Sequence, residues 1–110
     1  MSATSQIFDH HLGAFAKGLD ELIKDYDSNS VIVTPEKSYR GIEEISGFFE
    51  AFLDNAQPSF WDAFKVTSKS TEGEIAYLVW EAKPFVQMAT DTLYVKGDKI
   101  AVQTFTAFAS

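Results

Sequence analysis

The run VQMATDTLYVKGDKIAVQTFTAFA, residues 86–109, decides the fold class of this protein. It contains two stretches rich in β-branched and aromatic residues, and the turn-forming sequence KGDK, residues 96–99, separates them. This pattern predicts two antiparallel strands joined by a tight turn. In the first strand, the alternation of side chains places Asp91 on the same face as Leu93 and Val95. A carboxylate on such a face is either a solvated residue near the sheet rim or an acid held in a pocket.

The segments before this hairpin extend the predicted sheet. EIAYLVWEAKPF, residues 74–85, and FWDAFKVTSKS, residues 60–70, have strand composition, and turn-forming residues separate them. Together with the hairpin they predict four consecutive strands in an antiparallel meander. VIVTP, residues 31–35, predicts one further short strand, which ends at Pro35 because proline cannot donate to a central ladder.

Apolar residues at three- and four-residue steps predict the helices. Between Ser5 and Tyr26 this periodicity is interrupted by Gly18, which predicts one helix to Lys17 and a shorter helix after the glycine. A wide apolar stripe predicts a third helix from about Gly41 to Asn55. The resulting class is α+β, with three helices of the N-terminal half packed on a curved, mixed, mostly antiparallel sheet. A pocket is expected where the sheet curves away from the helices.

Composition limits the possible partners. The 110 residues are 45% hydrophobic and 15% aromatic, which predicts one folded domain covering residues 1–110. A net charge of −7 disfavours nucleic acid and anionic membrane surfaces, because both carry negative charge. The chain has no cysteine, so disulfides and thiolate metal sites are excluded. Without an apolar run of transmembrane length or a recognisable targeting segment, a cytoplasmic protein is expected.

The sequence resembles the SnoaL-like branch of the nuclear transport factor 2-like superfamily, which includes ketosteroid isomerase. The resemblance rests on HLGAFAKGLDELIKDYDSNSVIVTPEKSYRGIEEISGFFEAF, residues 11–52, and on DTLYVKGDKI, residues 91–100. It implies a cystatin-like cone of helices and curved sheet, an elongated pocket at its open end, and frequent homodimers through the outer sheet face. It does not fix the function, because this fold supports isomerases, cyclases, dehydratases, hydrolases and non-catalytic binding domains.

The resemblance also implies candidate catalytic residues. Asp91 matches the oxyanion-hole acid of ketosteroid isomerase, and His11 falls where the catalytic tyrosine stands in that enzyme. Thr34 occupies the position of the proton-shuttling aspartate, and threonine cannot act as a base near neutral pH. This departure argues against the same isomerisation. His11 lies one turn before Phe15 on the apolar flank of the first helix, so it is either a catalytic acid or base, or a partly buried histidine with a local acceptor.

Two functional hypotheses follow. The first is a small-molecule pocket protein, with isomerase, lyase or cyclase chemistry on an apolar cyclic or polyketide-like compound. The second is a non-catalytic ligand-binding or dimerisation module of the same fold. The expected catalytic residues are His11 and Asp91, and the expected pocket residues are Phe15, Thr34, Phe49, Trp61 and Trp80. No metal ligands occur at matched spacing, and neither a metal nor a cofactor is expected.

A homodimer is the expected oligomeric state. Strand alternation puts Leu78 and Trp80 on one face of the sheet and Tyr77 and Val79 on the other, so both faces are fairly apolar. A sheet that is apolar on both faces is usually covered on both sides. Helices would cover the inner face, and a second copy of the chain would cover the outer one.

Overall fold

A computed structural model describes residues 3–108 of the chain and contains four helices and six strands in that range. The helices are α1 (Ala3–Ala14), α2 (Leu19–Ile23), α3 (Gly41–Asn55) and α4 (Pro58–Ala63). The strands are β1 (Val31–Val33), β2 (Ser38–Arg40), β3 (Phe64–Glu72), β4 (Ile75–Ala82), β5 (Val86–Lys96) and β6 (Lys99–Phe108). None of the described helices is long and apolar enough to cross a membrane.

The six strands form one sheet in the order β2-β1-β6-β5-β4-β3. Every neighbouring pair is antiparallel except β1 and β6, which run parallel. The pairing register shifts once in each of the three pairs of the meander from β3 to β6. Such irregularities bend strands and increase their twist, and the sheet curves around the helices. The predicted α+β class and the mixed, mostly antiparallel sheet are confirmed.

The helix predictions agree with the structure in the main features. The predicted bounds of α3, Gly41 to Asn55, are confirmed. Gly18 has a φ of 103°, in a region that residues with a side chain rarely adopt, which explains why the chain breaks there between α1 and α2. The first helix ends at Ala14 instead of Lys17, and a turn fills the interval.

Two local predictions were wrong. Residues 60–63 were expected to begin a strand, but they belong to α4. Pro58 stands in the first turn of this helix, where its fixed φ is favourable and its missing N–H is not needed. β2 was not expected, because its three residues were interpreted as the approach to α3. They pair with β1 across a turn in which the Thr34 backbone N–H donates to the carbonyl of Lys37 at 3.0 Å.

The core lies between the helices and the concave face of the sheet. α1, α2 and α3 contribute Phe8, Leu22 and Ile45, each at most 1% exposed. The sheet contributes alternate residues of its central strands, including Leu93 and Ile100, which are fully buried. At one end of this core the aliphatic side chains give way to aromatic rings, and the candidate site lies there.

Candidate functional site

Asp91 lies in the middle of β5 on the concave face of the sheet, and only 7% of its surface is exposed. The strand register places Leu78 of β4 and Phe105 of β6 opposite it. Trp80 follows Leu78 by two residues and Gln103 precedes Phe105 by two, so both are diagonal neighbours of Asp91 on the same face. Long side chains at diagonal positions can reach each other across a sheet.

Two N–H groups converge on the Asp91 carboxylate. Trp80 donates from its indole Nε1 to Oδ1 at 3.0 Å, and Gln103 donates from Nε2 to Oδ2 at 2.9 Å. Burial raises the pKa of Asp91 to about 6, and these two hydrogen bonds oppose that rise because they favour the ionised form. The carboxyl is therefore mostly ionised at neutral pH and takes up a proton in mildly acidic solution. The added proton must bind to a lone pair of the carboxylate that accepts no hydrogen bond from Trp80 or Gln103.

His11, near the end of α1, is surrounded by rings and is 2% exposed. The centroid of its imidazole lies 5.2 Å from that of Phe15, 6.1 Å from that of Tyr26 and 6.1 Å from that of Phe49. Burial and, to a smaller extent, the charge of the neighbouring His10 lower the pKa of His11 to about 4. The imidazole is therefore neutral at physiological pH, with one donor nitrogen and one acceptor nitrogen.

Tyr26 and Gln103 connect His11 with Asp91. The Tyr26 hydroxyl donates to Oε1 of Gln103, whose amide nitrogen in turn donates to Asp91. The same hydroxyl lies 3.5 Å from Nδ1 of His11. Because the hydroxyl proton is already directed at Gln103, a hydrogen bond to His11 requires that Nδ1 carries the imidazole proton. The His11 atom left as an acceptor is then Nε2.

The Nε2 atom of His11 is available as an acceptor. It has no hydrogen-bond partner among residues 3–108. In the same range, every side-chain nitrogen or oxygen that is fully buried does have a partner, so Nε2 retains some accessible surface. The open space that His11 lines is a cavity, which it shares with Asp91 and Gln103. Two acceptors, the Nε2 of His11 and the Asp91 carboxylate, thus border one apolar space.

The cavity is narrow, with a volume of about 40 Å³. This volume holds a few water molecules, so a cyclic ligand requires that the walls move apart. Those walls are mainly aromatic, and they include Phe15, Phe49, Trp61, Phe64 and Trp80. Both tryptophans of the chain are among them.

An open groove of about 710 Å³ adjoins the cavity. It lies along α3, facing β2 and the later part of β6. Phe48, Phe52 and Phe105 line both the cavity and the groove, so these three rings form a partition between the two spaces. Lys37 and Glu44 add charged groups to the groove. Displacement of the partition rings would join the two spaces into one elongated pocket.

The structure brings most of the expected site residues together. Six of the seven line the cavity, namely His11, Phe15, Phe49, Trp61, Trp80 and Asp91. The seventh, Thr34, lies apart from it, because its hydroxyl donates to the backbone carbonyl of Lys37 at 2.8 Å and closes the turn between β1 and β2. Its position after β1 directs it to the rim of the sheet.

Sequence reasoning missed two polar members of the site. Tyr26 was interpreted as a packing residue and Gln103 was not considered, yet both are buried and they link His11 to Asp91. A signal for Gln103 was present, since strand alternation puts it on the same face as Phe105 among apolar neighbours. Among residues 3–108, no three His, Asp or Glu side chains are grouped as a metal site requires.

The arrangement can transfer a proton in an apolar environment. A carboxyl with a pKa of about 6 changes its protonation state near neutral pH, which is the useful range for general acid and base catalysis. The Gln103 amide has a second N–H beyond the one that binds Asp91, and Gln103 lines the cavity. The site therefore combines an acid or base, an acceptor and an amide donor within aromatic walls.

Similarity to solved structures places this chain in a fold. An NTF2-like protein of unknown function from Burkholderia xenovorans is similar with a TM-score of 0.77 and 14% identity, over 98% of this chain and 84% of that one. A candidate SnoaL-like polyketide cyclase from Shewanella denitrificans gives 0.76 and 13%, over 98% and 92%. A candidate isomerase of the SnoaL-like family from Agrobacterium tumefaciens gives 0.70 and 14%, over 99% and 100%.

The sequence alone is less informative than the fold. No protein-family model and no curated protein matches it. The similar structures share less than a fifth of their residues with this chain, and at that level the likeness concerns the fold. The order of helices and strands, the curved mixed sheet and these structural matches agree: the protein has the nuclear transport factor 2-like fold in which SnoaL-like proteins are built.

Proposed function

We propose that the protein binds a small, apolar, carbonyl-bearing cyclic or polyketide-like compound and catalyses a proton transfer of the isomerase, lyase or cyclase type. One observation carries this proposal: the buried Asp91 carboxyl borders an aromatic cavity and has a pKa of about 6. No cation contacts this carboxyl among the described residues, and its two donors are neutral, so burial raises its pKa into the range that suits a base near neutral pH.

The proposed reaction begins with Asp91 as the base. The carboxylate takes a proton from a carbon next to the ligand carbonyl, and the electron pair of that C–H bond moves towards the carbonyl oxygen. The second N–H of Gln103 stabilises the charge that develops on this oxygen. In an isomerisation, Asp91 then returns the proton to another carbon of the enolate. In a ring closure, the enolate carbon forms a bond with a second carbonyl carbon of the ligand, the π bond of that carbonyl breaks, and Asp91 gives the proton to the resulting alkoxide oxygen. In a lyase reaction, the enolate expels a leaving group from its β carbon, and Asp91 gives that group the proton. Nε2 of His11 accepts a hydrogen bond from a ligand hydroxyl and orients the compound.

This role for Asp91 differs from the one that the resemblance to ketosteroid isomerase implied. There a neutral acid donates a hydrogen bond, whereas here two N–H groups already point at the carboxylate oxygens. The ionised form is the one that they stabilise, and Asp91 suits the role of base at neutral pH. It thereby supplies the base that Thr34 cannot provide.

The shape of the site supports an elongated ligand. The cavity beside Asp91 is too narrow for a large ring system, while the adjoining groove is more than ten times larger. A ligand with its reactive end beside Asp91 and its remainder in the groove would use both spaces. The rings of Phe48, Phe52 and Phe105 would separate to admit it.

The alternative function is a non-catalytic binding or dimerisation module. The narrowness of the cavity favours it, since a volume of about 40 Å³ holds water molecules and no cyclic compound without rearrangement. In that case Asp91 would anchor Trp80 and Gln103 and no ligand would reach it. The two functions differ in whether a C–H acid in the cavity exchanges its proton.

The bicyclic ketone 2-tetralone tests the proposal, because its acidic C–H groups adjoin a carbonyl. Exchange of these hydrogens for deuterium in D₂O is followed by NMR, and binding is followed by the fluorescence of the two tryptophans. The wild-type protein and the control Asp98→Asn should accelerate exchange, since Asp98 is an exposed residue of the β5–β6 turn. Asp91→Asn should abolish the acceleration.

The outcomes distinguish the two functions. Binding of 2-tetralone without exchange in the wild type would refute catalysis of this type and support the binding module. Unchanged tryptophan fluorescence at saturating 2-tetralone would refute the assignment of the cavity as the ligand site. Equal exchange in the wild type and Asp91→Asn would refute the role of Asp91 as base.

A further inference from the structure

Two adjacent histidines of α1 meet two adjacent residues after α2. His10 contacts Asp25, and His11 contacts Tyr26. In the first pair, 34% of the His10 side chain is exposed while Asp25 is buried, and the second pair belongs to the buried network of the site. Because the two histidines are neighbours on one helix, a shift of this part of α1 relative to the segment after α2 would move both.

His10 is held by carboxylates on both sides of its ring. Its Nδ1 lies 2.8 Å from Oδ1 and 2.7 Å from Oδ2 of Asp25, and its Nε2 lies 2.6 Å from Oε2 of Glu21. An ionised carboxylate can only accept hydrogen bonds, so both ring nitrogens must donate. Both can do so only in the doubly protonated imidazolium form. Glu21 also binds Lys24, at 3.0 Å.

The segment that contains Asp25 is hydrogen-bonded to the sheet. The backbone carbonyl of Asp25 accepts from the N–H of Ile100 at 2.7 Å, at the start of β6. The next residue, Tyr26, donates to Gln103 further along the same strand. The end of α2 is thus attached to β6 at two points, and His10 connects α1 to this fixed segment.

We propose that His10, Glu21 and Asp25 form a positioning clamp that holds His11 against Tyr26 while His10 is protonated and releases it when His10 loses its proton. The clamp residues do not touch the cavity, and they act on the site through His11. The inference rests on the proposed function only for the view that His11 orients a ligand. The clamp itself follows from the contacts of His10.

The charges around the clamp favour the protonated form of His10. Hydrogen bonds to Glu21 and then to Asp25 raise the pKa of His10. Burial raises the pKa of Asp25, so the ionised form of this carboxyl depends on the imidazolium beside it. Lys24 faces Glu21 and Lys99 faces Asp25. His11 interacts with His10, and Tyr26 interacts with Asp25.

The sign of the pH effect follows from these directions. A histidine with a raised pKa contributes stability that is complete below about pH 6.5, the ordinary value, and that disappears as the pH rises through the higher value of the folded protein. The clamp is therefore closed at about pH 6.5 and opens as the pH rises through the raised pKa of His10. Proton loss leaves the buried Asp25 carboxylate next to a neutral ring.

Long-range ¹H–¹⁵N NMR of the two imidazole rings tests the clamp without a ligand. In the wild type at about pH 6.5, we expect His10 to show mainly two protonated nitrogens and His11 to be protonated at Nδ1 alone. The His11 signals should change as His10 loses its proton with rising pH. In His10→Gln, the midpoint of the His11 titration should rise from about 4 by about one pH unit, because the adjacent cation is lost.

Two further variants and a titration of the wild type serve as controls for this test. His10→Lys retains a cation beside Asp25 and should give His11 signals like those of the wild type. Asp9→Asn removes a different ion pair of α1, the one with Lys69 at 3.5 Å, and should leave the His11 signals unchanged. If His10→Gln does not fold, titration of the wild type with rising pH removes the same proton. His11 signals that do not respond to the state of His10 would overturn the clamp. Failure of 2-tetralone exchange alone would refute the proposed function and leave the clamp intact.

Discussion

Replacement of Asp91 by Asn should change how the stability of the protein responds to acid. Burial raises the pKa of Asp91 from 3.8 to about 6 and lowers that of His11 from 6.5 to about 4. The native state therefore binds the Asp91 proton more tightly than the unfolded state does, and the His11 proton less tightly. As the pH falls from 6 towards 4, Asp91 contributes stability while His11 removes it.

The two contributions nearly cancel in the wild-type protein. Each amounts to about 1.4 kcal/mol per pH unit within its window. Asp91→Asn leaves the His11 contribution alone, so between about pH 6 and about pH 4.5 its free energy of unfolding should fall by about 2 kcal/mol relative to the wild type. His11→Gln leaves the Asp91 contribution alone, and its relative stability should rise by about 2 kcal/mol over the same interval.

Urea unfolding, followed by circular dichroism at the two pH values, measures these differences. Other titrating groups, including His10, Glu21 and Asp25, are common to all three proteins, so their contributions cancel in the comparison. Opposite signs for the two variants would support two buried groups with shifted pKa values. Relative stabilities that are the same at both pH values would refute the reasoning, because they would show that Asp91 and His11 titrate as they do in solvent.

Three further changes test other parts of the structure. We propose a homodimer through the outer sheet face, where Tyr77 is 39% exposed, and Tyr77→Glu should lower the mass measured by light scattering from dimer to monomer; a monomeric wild type would contradict it. Gly41 has a φ of 79°, so Gly41→Ala should lower the free energy of unfolding by about 1–2 kcal/mol. Gly47→Ala, in the interior of α3, should raise it by up to about 1 kcal/mol. Equal effects of the two substitutions in urea unfolding would argue against the left-handed conformation of Gly41. Leu93→Ala should cost about 2–5 kcal/mol in the same assay, because the side chain is fully buried, and a loss below about 1 kcal/mol would contradict that burial.

Local sequence patterns correctly predicted the elements that form from residues close together in the chain. The apolar stripe of α3 and the turn chemistry of residues 96–99 each act within a few residues, and both elements formed as expected. Strand alternation placed Asp91 on the same face as Leu93 and Val95, which are buried, but it left open whether the carboxylate lies in a pocket or at the rim. α4 escaped prediction because six aromatic-rich residues are too short to show a helical period.

The polar network of the site depends on contacts between distant residues. Tyr26 and Gln103 are separated by 77 positions, and their contact requires the end of α2 to lie across β6. The pairing of β5 with β6 also shifts register between Tyr94 and Val95, which sequence alternation cannot reveal. The width of the cavity depends on how the aromatic rings pack, so the sequence indicated aromatic walls without their spacing.

The emission of Trp80 tests the central claim most directly, because its indole donates to Asp91. Trp61→Phe leaves Trp80 as the only tryptophan of the chain. Its emission should change with pH at a midpoint of about 6, the pKa of Asp91, and saturation with 2-tetralone should shift that midpoint. The additional change Asp91→Asn should remove the transition. A Trp80 emission that does not change near pH 6, or that changes equally without the carboxyl, would contradict a proton-exchanging acid at the cavity.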